Sequence, residues 1–199
     1  MPATRDTSSA NPAAGERPLR ADAQRNRERV LEVATAAFAT EGLGVPVHEI
    51  ARRAGVGTGT VSRHFPTKDA LFQAIVLDRM ERCVGMAEEL RQTRQPGDAF
   101  FAYFAFLVEK GAVDHGLADA FTGAGFDIEA AAARSQHDVI GALGRLLVAA
   151  QRAGVVRVDV DTADVKALIA GCHVRERPQA DAAVRQRMTE ICCAGLAAS

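Results

Sequence analysis

PVHEIARRAGVGTGTVSRHF, residues 46–65, is the stretch on which the reading of this chain turns. Three of its positions constrain the backbone together. Ala51 is small where two helices would cross. Gly55, four residues on, sits where a positive φ is easiest for glycine. Val61, six further, packs back into the crossing, and Ile50, Ala54 and Val56 complete a small core. These offsets predict two short helices meeting at a tight turn, the helix-turn-helix arrangement whose second helix can enter a DNA major groove. An ordinary αα-hairpin accommodates the same three residues, so the outer face of the second helix matters more. Thr58, Gly59, Ser62 and Arg63, with Thr60 and His64 beside them, include small donors and two basic groups and no carboxylate. A helix of about 12 Å with that face suits a groove flanked by phosphates. Gly59 costs helix stability, and its use would be to let backbone approach a surface closely.

Working outward, Val30, Leu31, Ala34, Ala37 and Phe38 form one stripe of a 3.6-residue period, predicting a helix over Asp22–Thr40 with Gly42 as its left-handed stop. Pro46 suits the first position of the next helix, because its missing N–H would be unpaired there. A short helix follows over Thr58–Phe65, Pro66 stops it, and Thr67 caps a fourth. Leu71, Phe72, Ile75, Val76 and Met80 carry that helix's apolar stripe towards Leu90. Lys68 lies in its first turn, where a lone cation opposes the helix dipole unless a phosphate sits there. Residues 1–19, rich in Pro, Ala, Ser and Thr, are expected to be disordered.

The second half also reads as helical. Pro96 opens a helix rich in aromatic residues, and 115–125 holds at most a short one. A long helix is expected over Asp127–Ala153, another from Asp161 or Thr162 to about Arg175, and a last over Asp181–Leu196. Val155–Val160 is the one short strand candidate and reads better as a turn. The fold class is therefore all-α, with no internal repeat.

Composition narrows the function classes. In 199 residues, no run approaches the ~18–20 apolar residues of a membrane span, and Met1–Leu19 lacks a signal-peptide core. The expectation is a cytoplasmic protein whose Cys83, Cys172, Cys192 and Cys193 are reduced thiols. Residues 17–80 hold 10 basic and 7 acidic side chains (+3), residues 81–199 hold 13 and 16 (−3), and residues 1–16 add −1. A basic front and an acidic back suggest that only the front meets a polyanion.

The stretch from Asn26 to Leu71 resembles the DNA-binding domain of the tetracycline-repressor (TetR) family of bacterial transcription regulators. The matching residues are Arg29-Val30-Leu31, Ala34, Phe38, Gly42, Ile50-Ala51, Ala54-Gly55-Val56, Gly59-Thr60, Arg63-His64-Phe65, Lys68 and Leu71. The resemblance implies a DNA-binding domain over 22–82, with its motif at 46–65, and a helical effector-binding and dimerisation domain over 83–199, about nine helices in all. It implies DNA contacts from Thr58, Gly59, Thr60, Ser62, Arg63, His64 and Lys68 to a palindromic operator. It further implies a homodimer through the last two helices and release of a repressor by a small apolar or aromatic effector. Four departures point to modest affinity per protomer: Ser62 for the usual Tyr, Gly57 for a Ser cap, Thr58 for a frequent Lys, and Val45-Pro46 for a Thr cap. Arg17, Arg20, Arg25, Arg27 and Arg29 could compensate through backbone or minor-groove contacts, or form a solvated helix face.

In the second domain Phe101, Phe104, Phe121, Phe126, Leu143 and Leu147 are candidate walls of an effector pocket, with His115, His137, Cys172 or His173 as a polar handle; each could equally fill a core. Val165, Leu168, Ile169, Cys172, Met188, Ile191, Cys192 and Leu196 are the candidate dimer stripes. No enzyme, cofactor or metal is expected. Cys172 and His173 are adjacent on a helix and diverge by about 100°, and Asp159, Asp161 and Asp164 lack the Gly and Glu of a calcium loop. The rival reading is a helical protein–protein adaptor, or a ligand-binding protein, that reuses the fold without specific DNA binding.

Overall fold

The computed structural model describes residues 13–133, 135–176 and 181–198. Nine helices are found among the described residues: α1 (Ala13–Glu41), α2 (Val47–Ala54), α3 (Thr58–His64), α4 (Lys68–Thr93), α5 (Pro96–Gly123), α6 (Ile128–Ala133), α7 (Val139–Arg152), α8 (Thr162–Glu176) and α9 (Ala182–Leu196).

Two hydrophobic cores divide the chain. The first joins Leu31, Phe38, Ile50, Ala51, Val61 and Phe65 of the α1–α3 unit to Leu71, Phe72 and Ile75 of α4. The second gathers Phe100, Tyr103, Phe104, Leu143, Leu146 and Leu147 with Val165, Cys172 and Leu196. α4 belongs to both, because its buried residues switch from Leu71–Ile75 at one end to Ala87 and Leu90 at the other. α5 does the same in reverse: Phe100 and Phe104 lie in the second core, whereas Leu117 and Phe121 lie in the first. Two long helices thus mechanically tie the halves together.

Glycine ends three helices where the apolar stripes predict. Gly42, Gly55 and Gly154 take φ of 79°, 67° and 70°, a region in which a Cβ would be strained.

Several boundaries differ from the sequence reading. The first helix begins at Ala13, not Asp22. Ala, Glu, Arg and Leu favour helix, and extending a formed helix is cheaper than nucleating one. The rest of the expected disordered tail, residues 1–12, lies outside the described residues. α5 runs unbroken to Gly123, through the glycines read as interruptions. A Cβ on Gly111 would stand 2.0 Å from the His173 ring. Glycine there lets α8 approach α5 closely enough for His173 Nε2 to reach Val108 O at 3.1 Å.

The long helix expected over Asp127–Ala153 is two, α6 and α7. Asp138 accepts from Gly141 N at 2.7 Å and Ser135 Oγ from His137 N at 2.9 Å. Such side-chain bonds compete with the helical ladder and restart it. In the 155–160 turn Val156 makes an isolated antiparallel bridge to Ala197, which anchors the end of α9.

Of the expected dimer stripes, Val165, Cys172, Cys192 and Leu196 are buried within the protomer's own second core. Ile169 and Met188 are half-buried, and Leu168 and Ile191 are exposed. The stripes are wide enough to face inward with one edge and outward with the other.

Candidate nucleic-acid interface

α3 rests on the first core through one residue, Val61, which is fully buried. Thr58, Gly59, Ser62, Arg63 and His64 are exposed and Thr60 is half-buried. The α3 surface is therefore the set read from the sequence, with no acidic side chain on the helix. Gly57 supplies an N-cap without a side-chain bond, so the first N–H groups of α3 remain available to an acceptor. Pro46 caps α2 in the same uncapped way and stands just before the helix, not inside it.

The neighbouring cations are not equivalent. Arg52 Nη2 lies 2.7 Å from Glu49, and Arg53 Nε bridges to the same carboxylate at 2.8 Å while its other nitrogens reach Glu41 of α1. These hydrogen bonds from Arg52 and Arg53 hold the Glu49 carboxyl at about 2. Arg53 thus ties α2 to α1, whereas Arg52 pairs with Glu49 within α2. Arg25 pairs with Asp22. Arg27 stands 5.9 Å from the Phe65 ring centre, a cation–π position that braces the end of α3. Arg29 is exposed and has no ion-pair partner among the described residues. The side chains of Arg17 and Arg20 lie outside the described set.

Lys68 opens α4, next to the Thr67 cap, whose Oγ1 accepts from Ala70 N at 3.0 Å. Its ammonium donates to Leu43 O and sits about 6 Å above both Phe38 and Phe72. One of three N–H donors is thereby used. The remaining two can meet a phosphate from an exposed position.

The candidate pocket residues are divided between the two cores. Phe104, Leu143, Leu147 and Cys172 are buried in the second core, with Phe101 packed against it. Phe121 belongs to the first core and Phe126 packs on it. His137 is half-buried in the α6–α7 connection, and the His115 side chain lies outside the described set. Phe121 alone of the set lines the apolar cavity, a chamber of about 250 Å³ walled by Ile75, Val76 and Met80 of α4, Leu117 of α5, Ile128 and Val139. The sequence signal for the α4 wall is the apolar stripe itself, to which Ile75, Val76 and Met80 belong. Burial pushes the Cys172 thiol up to about 12 and Cys193 to about 11, so both stay protonated and poorly nucleophilic. No cluster of three or more metal-ligating side chains occurs among the described residues, and none of the described helices is long and apolar enough to cross a membrane.

Comparison with known proteins agrees with this architecture. The family pattern described as bacterial regulatory proteins, tetR family, matches residues 30–75, and that described as transcriptional regulator SbtR-like, C-terminal domain, matches residues 95–198. The chain belongs to the TetR family. It is 49% identical to a TetR regulatory protein from Mycobacterium vanbaalenii, whose crystal structure superposes with a TM-score of 0.77 over 90% of this chain and 99% of that one. A TetR regulator from Streptomyces coelicolor is 29% identical, with a TM-score of 0.76 over 87% of this chain and 99% of that one. Among curated relatives, an HTH-type transcriptional regulator of Staphylococcus aureus is 37% identical over 59 residues, which span 29% of this chain and 32% of that protein. This TetR-family chain is accordingly a DNA-binding transcriptional regulator.

Proposed function

We propose that the protein is a homodimeric repressor whose paired α3 helices read a palindromic operator, and that a small apolar molecule in the α4–α7 chamber releases it. The observation that carries the DNA contact is the exposed, carboxylate-free face of α3, with Lys68 beside it. One module makes only a few phosphate contacts, so a two-fold pair is needed to compete with genomic DNA. Leu168, Val174 and Ile191 expose large apolar side chains on α8 and α9, which supports pairing through those helices.

Release follows from the shared helices. Phe121 of the chamber wall stacks on Phe72 at 4.3 Å between ring centres, and Phe72 meets Phe38 of α1 edge-on at 5.5 Å. A ligand that displaces Phe121 presses on the aromatic pile that seats α4 against the DNA-binding unit. It shifts the equilibrium only as far as it prefers the displaced state.

The test is a gel shift on operator and random DNA at several salt concentrations. Lys68→Ala weakens both and flattens the log–log salt slope by about one unit. Arg63→Ala, if it reads a base, relaxes preference for the operator. A wild-type protein that gives no salt-sensitive shift on any DNA is an adaptor, not a regulator.

A further inference from the structure

A second cavity adjoins the apolar chamber. It lies between α1, α4 and α5 and measures about 310 Å³. The two share Arg79 and Cys83 in their walls, one turn apart on the same face of α4. Their chemistry differs sharply. The chamber is apolar except at that junction. The vestibule has three cations, Arg79, Arg82 and Lys110, and two carboxylates, Glu32 and Asp78.

Arg82 Nε donates to Asp78 at 2.9 Å, and its Nη2 lies 3.5 Å from Glu32. Lys110 has no carboxylate partner among the described residues; its ammonium lies 6.0 Å from the Phe106 ring centre. The Glu32 contact is long for a charge-assisted hydrogen bond, so an incoming anion can take its place on Arg82. Tyr103 stacks on Phe106 at 6.0 Å, and its buried hydroxyl has no hydrogen-bond partner among the described residues.

We infer that the effector is an amphipathic anion, a small carboxylate whose apolar body fills the α4–α7 chamber and whose head lies in the vestibule against Lys110 and Arg82. The inference rests on the chamber being the effector site, as proposed above. The head group sits beside α1 and competes with Glu32 for Arg82, so its binding also replaces one exposed ion pair between α1 and α4.

Decanoate, decanol and decyltrimethylammonium, each below its micelle concentration, share one tail and differ in head charge. Calorimetric titration of the full chain is expected to give decanoate an affinity about tenfold above decanol, roughly the weight of one charge-assisted hydrogen bond, with the cation weakest. Lys110→Gln, at an exposed side chain, should close that gap, and Glu32→Gln should widen it by removing the competing carboxylate. Decanol affinity should be indifferent to both, which controls for folding. Decanol binding as tightly as decanoate overturns the anionic head while leaving an apolar effector intact. If none of the three binds and none releases DNA from a protein that still shifts DNA, both the head group and the effector role of the chamber are overturned.

Discussion

The aromatic pile between the chamber and the DNA-binding unit gives a prediction whose size follows from geometry. Phe72 and Phe121 are both buried, 2% and 1% exposed, and their rings lie 4.3 Å apart at 29°. Replacing either with leucine keeps most of the apolar volume and removes the ring contact. Each single change loses packing as well as stacking, so the contact itself is isolated only by a double-mutant cycle. Stacked aromatic pairs contribute about 0.5–1.5 kcal/mol beyond their area. Phe72→Leu combined with Phe121→Leu should therefore cost about 1 kcal/mol less than the sum of the single changes. Urea unfolding followed by circular dichroism measures all four proteins. The same set, titrated with an effector while bound to DNA, should show Phe121→Leu retaining basal DNA binding and losing part of the ligand response. A coupling within about 0.3 kcal/mol of zero, the ordinary scatter of additive pairs, with an unchanged ligand response would refute transmission through the stack.

Other expectations follow from single contacts. Gly111→Ala places a Cβ 2.0 Å from the His173 ring; parting α5 from α8 should cost about 1–3 kcal/mol, and an unchanged urea midpoint would contradict the close approach. Tyr103→Phe removes a buried hydroxyl that has no partner among the described residues; stability should hold or rise by about 1 kcal/mol, and a clear loss in urea would show that the hydroxyl is bonded. Glu49 is held from an ordinary 4.5 down to about 2 by Arg52 and Arg53, and Glu41 is lowered by Arg53. Both are depressed in the folded state, so their contribution is complete above about pH 4.5 and is lost as pH falls towards 2. Replacing Arg53 with Gln should flatten that part of a circular-dichroism acid titration, and an unaltered curve would dismiss the pair.

How much was legible depends on the range of the interactions. The α2–α3 motif is short-range: Ala51, Gly55 and Val61 constrain one another within ten residues, and the outer face of α3 follows from helical period alone. The cavities are long-range. Phe104 and Phe121 share one helix yet fall in different cores, because α5 spans both units; nothing local distinguishes them. Gly111 looks like a break until His173, 62 residues on, is seen lying against it. Asp138 looked like one more polar residue in a long helix because its capping bond to Gly141 competes with a ladder the apolar pattern favours. Arg79, Arg82 and Lys110 carry no periodic signal at all, since surface cations on α4 and α5 read as solvent-facing until the groove between them is formed.

Selection of bound sequences from a random DNA pool, with wild type and Arg63→Ala in parallel, tests the central claim most directly. A two-fold symmetric site is predicted, its half-sites about one helical turn or a multiple apart, with preference relaxed in the variant. Recovery of no enriched sequence, or of an asymmetric site that the α3 substitution leaves untouched, would contradict it.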